Sequence, residues 1–531
     1  MKLKKLWISK FNNLIDVTID FGEVVSDETN LTILIGKNGA AKSYLLEAIV
    51  AIFRNLDLGE EPPFAYNFEY ECNTHQVIVD ANPERKEKVK ITVDNKRVPF
   101  SSLINDPERL YLPSNLFGYY SGTSTRLQKY FREHHKKYYY DLLKWEGGQK
   151  PLSRPLFFAR TYHSQYVLLA FFSFEDESSK QFLKEHFGIT GFKNAEFVLK
   201  RPKWSKTKGD EENFWGARGV VREFLNDLRD CSLPPLKIIG RVPNEAGKYT
   251  REEQICFRIN DLTALRNLSS RYKDNTEFFK TLESAYISDI IRRLEVRIQK
   301  DGVVDSLAFS QLSEGERQLL TVLGLIKFTN KTESLFLLDE PDTHLHPSWK
   351  RQFTTFLERA VPRKEKSHIL MATHDPLVVG GLKKEQIQIF TFEEDTNRHV
   401  IVSPSSENTV GMGVPRMLRD LFETVSLDNK AQEILDKKTI IASKKHLTAD
   451  DRINLKKYNK ELDEMGFANA SDDPNYSWFL EAQRKYDLLK LESVTDDSPQ
   501  TVEQLKEYSR KQVEVLGELL EKLWRAKHDT R

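Results

Sequence analysis

Gly36-Lys37-Asn38-Gly39-Ala40-Ala41-Lys42-Ser43 sets a glycine-bearing loop between an apolar run, 31–36, and a helix-patterned stretch that begins at Lys42. In that context the backbone N–H groups of the loop and of the helix N-terminus can point at a phosphate. The Lys42 ammonium would then reach the β- and γ-phosphates of a nucleotide, and the Ser43 hydroxyl would bind Mg²⁺. Residues 36–44, ending on Tyr44, are the candidate ATP contacts. One residue departs from the usual GxxxxGK[ST] pattern, since Ala41 stands where glycine is customary. An alanine that simply opens a helix has no positive φ to adopt, so nucleotide binding is expected to survive the change.

A second cluster is Ser334-Leu-Phe-Leu-Leu338-Asp339-Glu340-Pro341, an apolar strand with two carboxylates at its C-terminal end. Ligand sites of α/β sheets lie at that end. Asp339 is placed to hold Mg²⁺ through water, which leaves Glu340 free to orient or deprotonate the attacking water. About 35 residues on, His374 follows another apolar run, in HILMATHD.

The third cluster, Leu312-Ser313-Glu314-Gly315-Glu316-Arg317-Gln318, has a plain reading as a helix N-cap, with Glu316 three residues after Ser313 in a capping box. It also resembles the LSGGQ signature of ABC-type ATPases in its SMC and RecF-like form. The two readings are compatible, because capping keeps the helix end open to an anion. Taken with residues 36–43, 334–341 and 371–375, the match identifies an ABC-type, RecF/SMC/OLD-like ATPase head over 1–122 and 236–404. The resemblance implies hydrolysis of ATP with Mg²⁺ at sites shared between two head-to-head chains. Lys42, Ser43, Asp339, Glu340 and His374 would come from one chain, and Ser313, Glu314, Gly315 and Glu316 from the other. Catalysis would fall to Glu340 and His374. In the same family Asp342-Thr-His344-Leu-His346-Pro347 occupies a dimer-contacting loop, so its two histidines are read as structural and not as metal ligands. A coupling glutamine is usual in the lobe that holds 110–126, and Gln128 is the nearest candidate.

The elements that must carry these residues follow from periodicity. Residues 2–22 alternate as two short strands, and 64–100 as an antiparallel set with Asn95-Lys96 at a turn. A helix is expected from Lys42 through Phe53. Helix 314–328, strand 334–339, helix 347–360 and strand 367–372 alternate as in an α/β sheet. The fold class is therefore α/β: a P-loop head of mixed sheet plus antiparallel β lobe, with a mainly helical insertion at 123–235 and a helical C-terminal region at 405–531. The insertion shows no sustained heptads, which argues against a coiled-coil arm.

Bulk properties leave the partner open. The 531 residues carry 80 Lys plus Arg against 79 Asp plus Glu, so any nucleic-acid surface must come from local clustering. Residues 121–165 hold nine cations and three carboxylates. Lys200, Arg201, Lys203, Lys206 and Lys208 interleave with Trp204, a pattern able to bind phosphate and stack bases of DNA or RNA. Cys72, Cys231 and Cys256 lack CxxC spacing and read as reduced thiols of a cytoplasmic protein. No stretch approaches the ~20 apolar residues of a membrane span, so no membrane contact is expected.

The tail from GVPRMLRDLF to EAQRKYD resembles that of Septu-type antiphage defence ATPases, which act with a separate HNH-type nuclease subunit. The tail itself shows no Toprim or HNH pattern. Asp450-Asp451 and Asp472-Asp473 read as caps or solvated turns. The resemblance implies a homodimer or higher homo-oligomer that regulates a nuclease. The alternatives are a RecF-like repair or chromosome-maintenance ATPase, or a nuclease with an unrecognised site in its own tail.

Overall fold

A computed structural model describes residues 1–22, 30–37, 39–104, 106, 108–145, 154–174, 177–206, 210, 212–243, 249–329, 333–361, 366–393, 399–424, 428–442, 448–465 and four residues between 510 and 517. Asn38, Lys208, His446 and Asp472-Asp473 lie outside the described residues. The chain divides into two compact units, Met1–Phe422 and Glu423–Arg531.

The first unit is organised by a seven-stranded sheet. Its order across the sheet is Val400–Pro404, Ile387–Phe392, Asn30–Gly36, Ser367–Ala372, Ser334–Asp339, Asn115–Tyr120 and Leu156–Phe158. Only the pair at the Val400–Pro404 edge is antiparallel. The three strands 30–36, 334–339 and 367–372 are buried along their whole length. That explains why they read as unbroken apolar runs: a parallel strand covered on both faces has no polar side to show.

Alternate residues of each strand feed two separate cores. Leu31, Ile33, Ile35, Phe336, Leu338, Ile369 and Met371 join one, which is covered by helices including His163–Ser173 and Glu314–Thr329. Leu34, Leu335, Leu337, Leu370 and Ala372 join the other, beneath helix Lys42–Leu58 and a six-stranded antiparallel sheet formed from residues 2–98. This is an α/β architecture, a mixed central sheet with an antiparallel β lobe. The turn of the hairpin 89–98 falls on Asp94-Asn95, both in the left-handed region, and not on Asn95-Lys96.

The stretch expected as a mainly helical insertion is mostly helical, but it also gives one strand to each of two sheets. Leu156–Phe158 extends the central sheet. The twelve-residue strand Ile189–Lys200 is the middle strand of a five-stranded antiparallel sheet, paired on one side with Tyr249–Ile259 and on the other with Ile291–Lys300. Its helices include Arg132–Lys144, Glu177–Phe187 and Gly219–Cys231. The head also runs beyond residue 404: Met417 and Leu421, on and just after helix Val414–Asp420, are buried in the first core.

Among its described residues the second unit contains two helices, Asn429–Ala442 and Ala449–Glu464, packed on each other. Asp451 caps the second one: its carboxylate accepts from Thr448 N at 3.0 Å, and its own N–H donates to the Thr448 hydroxyl at 3.1 Å. Among the described residues no helix is long and apolar enough to cross a membrane.

Candidate nucleotide site

The loop after strand 30–36 and the C-terminal end of strand 334–339, which flank strand 367–372 in the sheet, meet at one cleft of about 250 Å³. Gly39, Ala40, Ala41, Lys42, Ser43, Tyr44, Asp339 and Glu340 line it, together with Asn13 and Arg126. Residues nearly 300 positions apart in sequence are therefore placed together by three adjacent parallel strands.

The loop is set by its turn chemistry. Gly39 and Ala41 have φ of 83° and 67°. Ala41 is the N-cap of helix Lys42–Leu58 and makes no side-chain cap bond. The expectation that Ala41 escapes a positive φ is thus corrected. The chain must reverse sharply before the helix, and a non-glycine residue there costs roughly 1–2 kcal/mol. Lys42 Nζ donates to Gly36 O at 2.7 Å and Lys37 O at 3.2 Å, which folds its side chain back over the loop. Burial pushes the Lys42 pKa down, opposed by the charges of Glu340 and Asp339.

Ser43 Oγ donates to Asp339 Oδ1 at 3.0 Å. These are hard oxygen donors, the chemistry Mg²⁺ prefers. Asp339 is nearly fully buried, and burial is the main cause that lifts its carboxyl to about 6; nearby Glu340 adds to the rise, while the Ser43 bond, Arg126 and Lys42 oppose it. A carboxylate held in this state gains from a cation, so the donor set fits the metal that the loop implies.

Glu340 turns away from the strand at φ 51°, with its N–H bonded to Ala372 O at 2.9 Å. Its Oε1 lies 3.3 Å from His374 Nδ1, and both side chains keep solvent access. Backbone strain of this kind costs of order 1–3 kcal/mol and concentrates at active sites. His344 sits 3.6 Å from Glu314, and His346 accepts from Ser348 N at 3.3 Å as the cap of helix Pro347–Ala360.

The segment 313–316 forms the expected reciprocal cap. Ser313 N and Oγ both donate to Glu316 Oε2 at 2.8 Å, and Glu316 N donates back to Ser313 Oγ at 3.2 Å. Lys300 pairs with Glu316 from the neighbouring strand. Gly315 is required by packing: a Cβ there would lie 2.6 Å from His344 O. None of residues 313–316 is among the described residues that line the nucleotide cleft.

Two contributors are not evident from sequence. Arg126 lines the cleft, with its guanidinium 5.6 Å from the centre of the Tyr44 ring and its Nε 3.8 Å from buried Glu47. Gln128, the residue favoured from the family pattern, lines a different cavity. The other contributor is Asn13, in the two-residue hairpin between Phe11 and Leu14. In the stretch 200–206, two of the side chains read as nucleic-acid contacts have partners within the fold. Trp204 donates Nε1–H to Ser288 O at 2.7 Å and packs on the core, and Lys200 is paired with Asp289 at 2.5 Å. Arg201, Lys203 and Lys206 are exposed.

A phosphate loop, a strand-end carboxylate pair and a capped signature helix on this sheet define a P-loop ATPase of the ABC type. Residues 1–197 match the family described as AAA ATPase domain, and residues 254–380 match AAA domain, putative AbiEii toxin, Type IV TA system. The retron Vc95 probable ATPase of Vibrio cholerae serotype O1 biovar El Tor is 22% identical over 400 residues, 72% of each chain. The Septu protein PtuA of Bacillus mycoides is 24% identical over 29% of this chain and 23% of its own length. The SMC head domain from Thermotoga maritima aligns at 14% identity over 76% of this chain and all of that one, with a TM-score of 0.32. The chain thus matches AAA ATPase family models over these two stretches and resembles retron and Septu defence ATPases.

Proposed function

We propose that two copies of this chain pair head to head around two ATP molecules, hydrolyse them, and thereby regulate a separate nuclease in antiviral defence. The observation that supports this reading best is a division of labour. Lys42, Ser43, Asp339 and Glu340 line one cleft, with His374 3.3 Å from Glu340, whereas Ser313 neither lines that cleft nor contacts a residue of it among the described residues. A second copy can supply what the cleft lacks.

In this mechanism the N–H groups of the loop and Lys42 hold the phosphates. Ser43 and Asp339 would hold Mg²⁺, which when bound supplies charge neutralisation at the phosphate oxygens. Glu340 accepts the proton of the attacking water, and its exposed carboxylate leaves room for that water. His374, 3.3 Å from Glu340, orients that carboxylate; its contact with the γ-phosphate is what the resemblance to the family implies. Ser313 and the N–H groups at the start of its helix, in the partner copy, complete the γ-phosphate contacts. The defence role rests on the likeness to a retron ATPase and a Septu protein.

The test mixes two inactive chains. Lys42→Ala removes the loop contact and Ser313→Arg blocks the signature helix. Each alone should lose turnover, and their mixture should recover about one composite site per heterodimer, near a quarter of wild-type activity if pairing is random. Folded single variants whose mixture stays inactive would refute the shared site.

A further inference from the structure

Two cavities of about 150 and 250 Å³ lie away from the nucleotide cleft and share His135, Arg160 and Tyr162 in their walls, so they form one groove. The first is bordered by helix Arg132–Lys144 and by Arg154 and Leu156 beside the sheet edge; the second by the end of helix Asn275–Ile287 and strand Ile291–Lys300. Six cationic side chains line the groove, Arg132, Lys136, Arg154, Arg160, Lys200 and Arg292, against a single carboxylate, Asp289.

The charges are not all committed internally. Lys200 pairs with Asp289, Lys136 with Glu133, and Arg154 with buried Glu283. The guanidinium groups of Arg132 and Arg160 are exposed and make no ion pair or hydrogen bond among the described residues. Arg154, about nine-tenths buried, keeps an Nε with no partner in the wall of the first cavity. The second part of the groove is walled by aromatic rings. Tyr162 and Tyr286 lie with centroids 4.0 Å apart at 33°, both half-buried. Tyr162 is covered by the His163 ring at 4.1 Å as well as by Tyr286, which leaves partly exposed Tyr286 as the ring of the pair that can meet a base. Free guanidinium donors suit phosphodiester oxygens, and a partly exposed tyrosine suits an unpaired base.

We propose that this groove binds single-stranded nucleic acid, with Arg132 and Arg160 on the phosphates and Tyr286 against a base. A duplex keeps its bases stacked and cannot offer one to a cavity this small. This goes beyond the ATPase reading and does not depend on it. It centres the nucleic-acid surface on residues contributed by 132–162 and 286–292, with Lys200 as the one residue of 200–208 among the described residues that line it.

The test is fluorescence anisotropy of the full chain with a labelled 20-mer of dT, titrated between 50 and 200 mM salt. Arg132→Glu/Arg160→Glu should weaken binding at least tenfold and make the slope of log K against log salt shallower by about 1.4, since each single-strand phosphate contact carries about 0.7. Tyr286→Leu should cost about five- to 150-fold with the slope unchanged. Lys86→Glu/Lys96→Glu, on exposed residues of the antiparallel lobe, should change neither. ATP turnover of the Arg132/Arg160 variant should equal wild type, so loss of ATPase activity in the parent chain would count against the nucleotide reading alone. Wild type failing to bind the 20-mer would overturn the assignment. So would an equal loss in the lobe variant, or competition by dTMP or a 20-base-pair duplex as strong as that of the unlabelled strand.

Discussion

Asp339→Asn should stabilise the ligand-free protein at pH 8 while removing its response to Mg-ATP. The Asp339 carboxyl is 3% exposed, and burial above all raises its pKa from 3.8 to about 6. The unfolded chain therefore releases this proton near pH 4 and the folded chain near pH 6. Between those values the folded state binds more protons, so stability falls as pH rises through the window and stays low above it. The full difference of about 2 units is worth about 3 kcal/mol at pH 8, and only about 1 kcal/mol at pH 4.5. Asparagine carries no charge at either pH, and its amide oxygen still accepts from Ser43 Oγ. Its N–H₂ group finds no evident partner and takes back roughly 1 kcal/mol. The expected gain is about 2 kcal/mol at pH 8, falling to about zero at pH 4.5.

Thermal unfolding of the two proteins at both pH values, with and without Mg-ATP, measures this. Wild type should gain stability with Mg-ATP, because ligand bound only to the folded state shifts the equilibrium; the variant should gain little. The reasoning fails if the variant is less stable than wild type at pH 8, or if the difference between them is the same at both pH values. Either result would mean that Asp339 is not a buried carboxylate waiting for a cation.

Two further substitutions probe the same cleft. Glu340→Gln keeps shape and hydrogen bonding but cannot accept the proton, so turnover should fall on the order of 10²–10⁴-fold while ATP binding persists and a dimer accumulates by light scattering; an unchanged rate would exclude Glu340 as the base. Arg126→Ala removes a cation from the cleft wall. Loss of one charge-assisted contact predicts nucleotide affinity lower by roughly ten- to a hundredfold in a fluorescent-ATP titration, whereas an unaltered Kd would confine Arg126 to packing against Tyr44 and Glu47.

The chemistry was legible because each part of it is local. A buried parallel strand must be apolar end to end, and a phosphate loop must precede a helix, so 31–44 and 334–340 can be read without neighbours. The helix at 314 was equally clear, since its reciprocal cap lies within four residues. Strand Ile189–Lys200 was not legible, and its pairing explains why. Its register to Ile291–Lys300 shifts between Ile189 and Gly191, between Phe192 and Asn194, and again between Val198 and Leu199. Each irregularity breaks the period of two on which a strand is recognised. Trp204 was misread for a different reason: its N–H is bonded to Ser288 O, 84 residues away, and no local pattern reports a distant carbonyl.

Arg126 and Gln128 show where such reading stops. They are two residues apart, yet one lines the nucleotide cleft and the other the cationic groove. The short helical turn Gln128–Phe131 that follows leads directly into helix Arg132–Lys144, which carries Arg132 and His135 to the groove. Phe131 holds this turn by setting the tip of its ring against Gly118, where a Cβ would lie 2.5 Å from it. Gly118 belongs to the strand that pairs with Leu337 beside Asp339. A rigid contact of this kind allows little slack between cleft and groove, because packed cores shift between discrete arrangements and do not deform smoothly. The family pattern leads to the expectation of a glutamine at the nucleotide; here Arg126 lines that cleft and Gln128 lines the groove. Arg126 precedes this helical turn and Gln128 opens it, so the cleft and the groove are parted over two residues by a turn whose far end, Phe131, is seated against Gly118.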